Sequence, residues 1–275
     1  MQKLIDFSKY TSIKIGTPCA VSIIDSTAAY DTLLQSDKTP QIIGAANNLL
    51  ISPEAKNLAV LGKEFSYIKD CGDSLEIGAA TASGRVFSYA KRHNLGGFEI
   101  LSKLPGSIGG IIKMNAGLKE YEIKNILSGI LVLNKSGKLA FKSVESLELG
   151  YRSSNINELI FAGIFKKMSG FNENLVESFK ALRANQPTEP SFGSTFKNPK
   201  GNFAGALIEK AGLKGVLFGK NKSLCFSKKH ANFLINLGKN GDSSFYEAVE
   251  LIELAKARVL ELSGILLENE VQIIN

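Results

Sequence analysis

Apolar and polar positions along the chain predict short elements of both kinds. Ala20–Ile24 is an apolar run of strand length, and Ser26 stands where the N-cap of a short helix through Leu34 would sit. Gln41–Ile43 reads as a short strand with Gly44-Ala45-Ala46-Asn47-Asn48 as the loop leaving it. A strand-rich block follows at Leu58–Leu61, Glu64–Lys69 and Leu75–Ile77. Ser83 then predicts the cap of a helix through His93, with Gly96 and Gly97 beyond its end. Ile130–Leu133 and Lys138–Lys142 flank Asn134-Lys135-Ser136-Gly137 and read as a hairpin, and Ile160–Phe165 as a further strand.

The pattern changes near residue 170. Val176, Phe179 and Leu182 have helical spacing, which predicts a helix over Leu175–Arg183. Pro187 and Pro190 then mark a linker. A helix is expected from Phe203 to Lys210. A long one opens on Ser244-Phe245-Tyr246-Glu247, the capping-box spacing, buries Ala248, Ile252, Ala255 and Val259, and ends at Gly264. Ile265–Leu267 and Val271–Ile274 read as terminal strands. No internal repeat or low-complexity segment is seen.

Composition narrows the class. The chain has 275 residues, 44% hydrophobic and 21% charged, which is the balance of a globular protein with room for two domains. No run has the length of a membrane span, and Asp6 interrupts the N-terminal stretch that a signal peptide would keep apolar, so the cytoplasm is the expected compartment. Cys19, Cys71 and Cys225 are sparse and odd in number, which argues for small buried thiols in a reducing compartment. His93 and His230 lie near neither a cysteine nor each other, so no metal site is expected. The net charge of +7 comes in short clusters, Lys166-Lys167 and Lys228-Lys229-His230, without a long basic stripe. That favours handling of anionic small molecules over a nucleic-acid surface.

The richest chemistry lies in Leu104-Pro105-Gly106-Ser107-Ile108-Gly109-Gly110-Ile111-Ile112-Lys113-Met114-Asn115-Ala116-Gly117. Glycines at this density allow φ > 0 and close approach of a ligand to the main chain, and successive N–H groups in such turns bind phosphate; on glycine count alone the segment reads equally as a phosphate cradle or as a pair of tight turns joining buried elements. The segment is neither G-x-x-x-x-G-K-[ST] nor G-x-G-x-x-G, and neither motif occurs elsewhere. A phosphorylated cofactor would need another architecture. The Gly44–Asn48 loop is a second cradle of the same kind.

Six segments in order resemble one family. They are Ile43–Leu50, Leu104–Gly117, Gly150-Tyr151-Arg152-Ser153, Gly193-Ser194-Thr195-Phe196-Lys197-Asn198-Pro199, His230–Asn236 and Glu270-Val271. The order is that of the UDP-N-acetylenolpyruvoylglucosamine reductases, flavoenzymes of bacterial peptidoglycan precursor synthesis, and the resemblance runs from about Lys14 to the C-terminus. It implies an α+β fold: a two-lobed FAD-binding domain of the p-cresol methylhydroxylase type, with lobes at about 1–65 and 66–180. An α+β substrate domain at about 181–265 would bind the UDP-sugar, and 266–275 would return to the flavin.

The resemblance also implies hydride transfer from NADPH to non-covalent FAD and on to the enolpyruvyl vinyl carbon, followed by protonation of the neighbouring carbon. Matched by motif, Ser194 falls at the proton donor, Arg152 at the catalytic arginine and Glu270 at the catalytic glutamate. Glu268 is close by, but Val271 sets the register for Glu270. Cofactor contacts fall on Gly44, Ala45, Ala46, Asn47, Asn48 and Leu49, and on Pro105, Gly106, Ser107, Gly109, Gly110, Asn115 and Gly117. Lys197, Asn198, Lys214 and Asn236 fall at substrate contacts. No partner other than the UDP-sugar is implied.

Four departures from the family pattern stand out. Ala45 and Ala46 replace glycines, Asn269 stands where proline is frequent, and Asn185-Gln186 where a lysine is common. No tyrosine lies between Arg152 and Ser194, as in the branch without a tyrosine loop. The rival readings are an aldonolactone or hydroxy-acid oxidase of the same fold, an RNA-binding protein, and a flavoprotein without catalysis. Neither histidine lies in a glycine-rich segment, where such oxidases attach FAD.

Overall fold

Buried apolar side chains collect around two separate sets of elements. A computed structural model describes residues 1–35, 39–134, 136–239 and 241–275. The chain forms two compact units, one of Met1–Lys3, Val21–Ala45 and Asn57–Ala184, the other of Leu4–Ala20, Ala46–Lys56 and Asn185–Asn275. The second unit combines two early segments with the C-terminal part of the chain.

The first unit is built on a five-stranded antiparallel sheet. Its order is Leu139–Ser143, Leu127–Leu133, Leu159–Lys166, Ser74–Gly78, Ile68–Asp70. Leu159–Lys166 is central and its inward positions are apolar, because a strand with neighbours on both sides must bury its side chains. The helices Ser83–Arg92 and Glu173–Leu182 pack on the one-turn helix Glu99–Lys103, and Ile108–Lys113 packs on the two middle strands. A smaller parallel set joins Val21–Ile24, Leu58–Leu61 and Gln41–Ile42, with the helix Thr27–Leu34 as crossover. Ser26 caps that helix, accepting from the Ala29 N–H at 3.1 Å.

The second unit packs around the helix Phe245–Ser263. Its capping box is complete: Ser244 Oγ accepts from the Glu247 N–H, and the Glu247 carboxylate accepts from the Ser244 N–H. Gly264 ends it at φ +68°. Ala248, Ile252, Ala255 and Val259 are buried as expected, joined by Leu251 and Phe245. Leu224–Phe226 pairs with Leu234–Asn236, and Gln272–Ile274 pairs in parallel with Leu49–Ile51.

Several local expectations need correction. Ser83 is the first helical residue; Ala82 holds the cap position, and no side chain caps there. Glu64–Lys69 is not one strand: Lys63–Phe65 forms a 3-10 turn and only Ile68–Asp70 is extended. Ile265–Leu267 is not a strand. Cys71 is exposed, while Cys19 and Cys225 are buried. The hairpin Leu127–Leu133/Leu139–Ser143 forms, although Lys135 of its expected turn lies outside the described residues. The strand Gln2–Asp6 and the helices Phe7–Tyr10 and Ile108–Lys113 were not anticipated.

Candidate active site

Glycine plays a different part in Leu104–Gly117 from the one its count suggests. Gly109 and Gly110 lie inside the helix Ile108–Lys113 without positive φ, and Gly117 starts a short strand. Of the four glycines only Gly106, at φ +134°, uses the conformational freedom of the residue. Gly109 is needed for close packing, because a Cβ there would meet Ala79 Cβ at 2.9 Å. The Ile108 and Gly109 N–H groups donate to Thr81 O at 3.0 Å and Ala79 O at 2.8 Å. Two of the amides expected to form an anion nest are thus taken up by the protein.

The two glycine-rich loops nonetheless meet. Gly44 is left-handed at φ +42°, and a Cβ on it would lie 3.0 Å from Ser107 Oγ. Gly110 is exposed, and a Cβ on it would meet only Ser107 Oγ, at 3.6 Å. Close approach of two backbone segments with space beside them fits a diphosphate held by main-chain donors. Pro105 is exposed beside them. Gly44 and Ala45 belong to the first unit, Ala46, Asn47, Asn48 and Leu49 to the second. Ala46 is buried at φ +50°, a conformation that costs a non-glycine residue roughly 1–2 kcal/mol. Its carbonyl accepts from the Ser12 N–H, and the Asn47 carbonyl from Ser12 Oγ.

Arg152 sits in a tight turn of the first unit, closed by a Gly150–Ser153 bridge, with φ +52°. Its guanidinium donates to Gly117 O at 2.6 Å and lies 5.1 Å from the centre of the Tyr151 ring. Further bonds tie this turn to the glycine-rich segment. Asn115 Nδ2 donates to Gly150 O at 3.0 Å, Ser154 Oγ to Lys113 O at 2.7 Å, and Lys113 Nζ to Ile156 O. Burial lowers the Lys113 pKa from its usual value, outweighing the attraction of Glu158.

Ser194 and Glu270 come together in the second unit. Gly193, at φ +86°, turns the chain into Ser194. Thr195 O accepts from the Glu270 N–H at 2.9 Å and the Val271 N–H at 3.3 Å. Ser194 thus stands one residue from the main-chain anchor of Glu270, and both are half-buried. Asn48 Nδ2 donates to Glu270 O at 2.9 Å, so this residue of the first loop holds the glutamate segment. On the other side, Thr195 N–H donates to Asn232 O at 2.7 Å, and Thr195 Oγ1 accepts from the Leu234 N–H. The buried Asn232 amide brackets Phe196, accepting from its N–H at 3.0 Å and donating to its carbonyl at 2.8 Å. Among the described residues, no hydrogen-bond partner reaches the buried Asn269 Oδ1.

The expected substrate residues lie in the same unit with unequal freedom. Lys197 Nζ pairs with Glu268 at 2.5 Å and Lys214 Nζ with Glu209 at 2.8 Å. Asn198 Oδ1 accepts from the Ala204 N–H at the start of a helix. Asn236 is buried, donating to Ile13 O and Lys14 O and accepting from Gly238 N–H and Ser243 Oγ. It is a structural joint, with its polar atoms already engaged. His230 Nδ1 accepts from the Asn232 N–H at 3.3 Å, and burial lowers its pKa, favouring the neutral ring. Thr195, Asn232, Lys113 and Ser154 were not singled out from sequence. The usable signal was a polar residue inside an apolar stretch, such as Asn232 beside Phe233.

Among the described residues, no His/Cys/Asp/Glu group could hold a metal ion, and no helix is long and apolar enough to cross a membrane. Residues 186–274 match the family model described as UDP-N-acetylenolpyruvoylglucosamine reductase, C-terminal domain. A UDP-N-acetylenolpyruvoylglucosamine reductase of Helicobacter hepaticus is 54% identical over 271 residues, covering 98% of each chain. One of Helicobacter pylori is 46% identical over 274 residues, covering 100% of this chain and 99% of its own. The crystal structure of the enzyme from Thermus caldophilus superposes with a TM-score of 0.85 at 27% identity, covering 100% of this chain and 99% of that one. The fold is therefore the α+β fold of a reductase. The chain belongs to the UDP-N-acetylenolpyruvoylglucosamine reductase family.

Proposed function

We propose that the chain reduces UDP-N-acetylglucosamine enolpyruvate to UDP-N-acetylmuramate with NADPH, in cytoplasmic peptidoglycan precursor synthesis. The observation that carries this is the end-to-end match to a reductase of that name at 54% identity. Bound FAD would supply the hydride relay from NADPH to the vinyl carbon. Gly44, Ala45, Ala46, Asn47, Asn48 and Leu49 with Pro105, Gly106, Ser107, Gly109, Gly110 and Gly117 would hold it, in the lobes 1–65 and 66–180. The UDP-sugar would lie on 181–265, with 266–275 returning to the flavin.

The roles are those the family resemblance assigns, and the chemistry of each group supports them. Arg152 can hold the substrate carboxylate with two parallel N–H bonds and neutralise charge as an enolate develops. Ser194 is the proton donor to the carbon beside the carboxylate. A hydroxyl is a weak acid at its ordinary pKa and must be assisted where it sits. Glu270, anchored through Thr195, supports the same enol intermediate. Lys197, Lys214 and Asn198 would contact the diphosphate-sugar, the two lysines by exchanging their carboxylate partners for phosphate oxygens.

The test is anaerobic rapid mixing of purified, flavin-loaded protein. NADPH should bleach the flavin band, and the enolpyruvyl sugar should then restore it and yield a product two hydrogens heavier. A protein that bleaches but is not reoxidised by that sugar is a different flavoprotein. One without flavin after reconstitution refutes the reading altogether.

A further inference from the structure

We propose that Asn115, which the family resemblance places among the cofactor contacts, is instead a positioning residue for Arg152: its buried amide is taken up by Gly150 O and the Lys124 N–H, so it acts through the turn that carries Arg152 and not by contact with the cofactor. The proposal rests on the role of Arg152 given above. A non-glycine residue at φ +52° keeps that conformation only when its surroundings over-determine it. At Arg152 the surroundings are the segment 113–124 of the same unit. Asn115 is fully buried and bonded at both ends of its amide: Nδ2 donates to Gly150 O at 3.0 Å, and Oδ1 accepts from the Lys124 N–H at 3.3 Å. Its own N–H donates to Ile112 O. The same amide therefore places Lys124, whose ammonium reaches Leu149 O at 3.3 Å and pairs with Glu122 at 2.8 Å.

The carbonyls on both sides of the turn's entry are thus held through one side chain, Gly150 directly and Leu149 by way of Lys124. Arg152 itself closes the far side through its bond to Gly117 O. Only a short planar group with a donor and an acceptor side by side can bridge Lys124 N–H and Gly150 O. Aspartate keeps the shape and loses the donor. Alanine loses both and leaves the Gly150 carbonyl and Lys124 amide to find other partners. In either variant Arg152 keeps its charge and loses its fixed direction, and a misdirected group can lose up to ~10²-fold in rate.

The experiment is a double-mutant cycle on flavin-loaded enzyme with Asn115→Ala, Arg152→Ala and the double variant, and Asn115→Asp in place of Ala if the alanine variant does not fold. Reduction by NADPH and reoxidation by the enolpyruvyl sugar are timed separately. Asn115→Ala should slow reoxidation at least about tenfold, within that reach, and leave reduction and flavin retention within about twofold, the margin of non-interacting sites. In the Arg152→Ala background the same change should add nothing beyond that margin. Multiplying losses, or a loss shared by both half-reactions or by flavin retention, would overturn the proposal while leaving the reductase reading intact. A wild-type rate in Arg152→Ala would overturn it together with the assigned role of the arginine.

Discussion

The Arg152 turn and the Ser194–Glu270 pair are held by different means. Around Arg152 the bonds run from side chains to carbonyls: Asn115 to Gly150, Ser154 to Lys113, Lys113 to Ile156, Arg152 to Gly117. Around Ser194 and Glu270 the two segments are joined main chain to main chain, Glu270 to Thr195 and Lys197 to Glu268, with side chains of Asn48 and Asn232 bracing them from outside. A main-chain ladder survives replacement of the side chains it carries, whereas a side-chain stitch is lost with one substitution. Ser194 and Glu270 can therefore be replaced without moving the backbone, which makes their chemistry testable in isolation. The Arg152 turn depends on particular neighbours, so its geometry and its charge must be separated by experiment.

The largest expected effect is at Ser194. Ser194→Ala should lower steady-state turnover by roughly 10²–10⁴, the range of general acid catalysis, with FAD retained. Ser194→Cys should keep part of the activity, since a thiol can still carry a proton. Full turnover with Ser194→Ala would move the proton donor elsewhere. Arg152→Ala and Glu270→Ala should each lose about 10² or more, the effect of one preorganised electrostatic group. A loss below about tenfold in either variant would remove that residue from the enol intermediate.

Next come the adjacent glycines. Gly109→Val should impair folding, since Ala79 Cβ leaves no room for a side chain. Gly110→Val should fold, because its Cβ has ordinary contact distance, and should fail to retain FAD if the diphosphate passes there. Flavin content against thermal melting separates the two; stoichiometric FAD in folded Gly110→Val would remove that residue from the cradle. The smallest effect is structural. Asn232→Ala leaves the buried Phe196 N–H unpaired and should cost about 1–3 kcal/mol in denaturant unfolding. A variant of unchanged stability would mean that water or a neighbour replaces the bracket.

Much of the architecture was legible because local rules and packing agreed. Ser26 and Ser244 cap their helices, Gly264 ends one, and the apolar stripe of Phe245–Ser263 faces its core. Failures came where tertiary contact decided. Ile108–Lys113 is helical despite two glycines, because Gly109 must pack against Ala79 and its amide bonds to Ala79 O. Ile265–Leu267 is apolar enough for a strand yet forms no ladder among the described residues, while Gln272–Ile274 finds Leu49–Ile51. Ser194 and Glu270 are 76 positions apart, and the main-chain bonds of Thr195 and Lys197 bring their segments to one place. The motif order put these residues forward through family resemblance; spacing alone could not join them. The burial of Asn115 and Asn236 was likewise invisible, since the carbonyls they donate to, Gly150 and Ile13, lie far from them along the chain.

One measurement bears most directly on the claim that two differently built regions serve the same half-reaction. Arg152→Ala, Ser194→Ala and Glu270→Ala are each loaded with FAD, reduced anaerobically with NADPH, and rapidly mixed with the enolpyruvyl sugar. All three should be reduced at near the wild-type rate and all three should be reoxidised slowly. Reoxidation at the wild-type rate in any one, or reduction slowed as much as reoxidation, would contradict that claim.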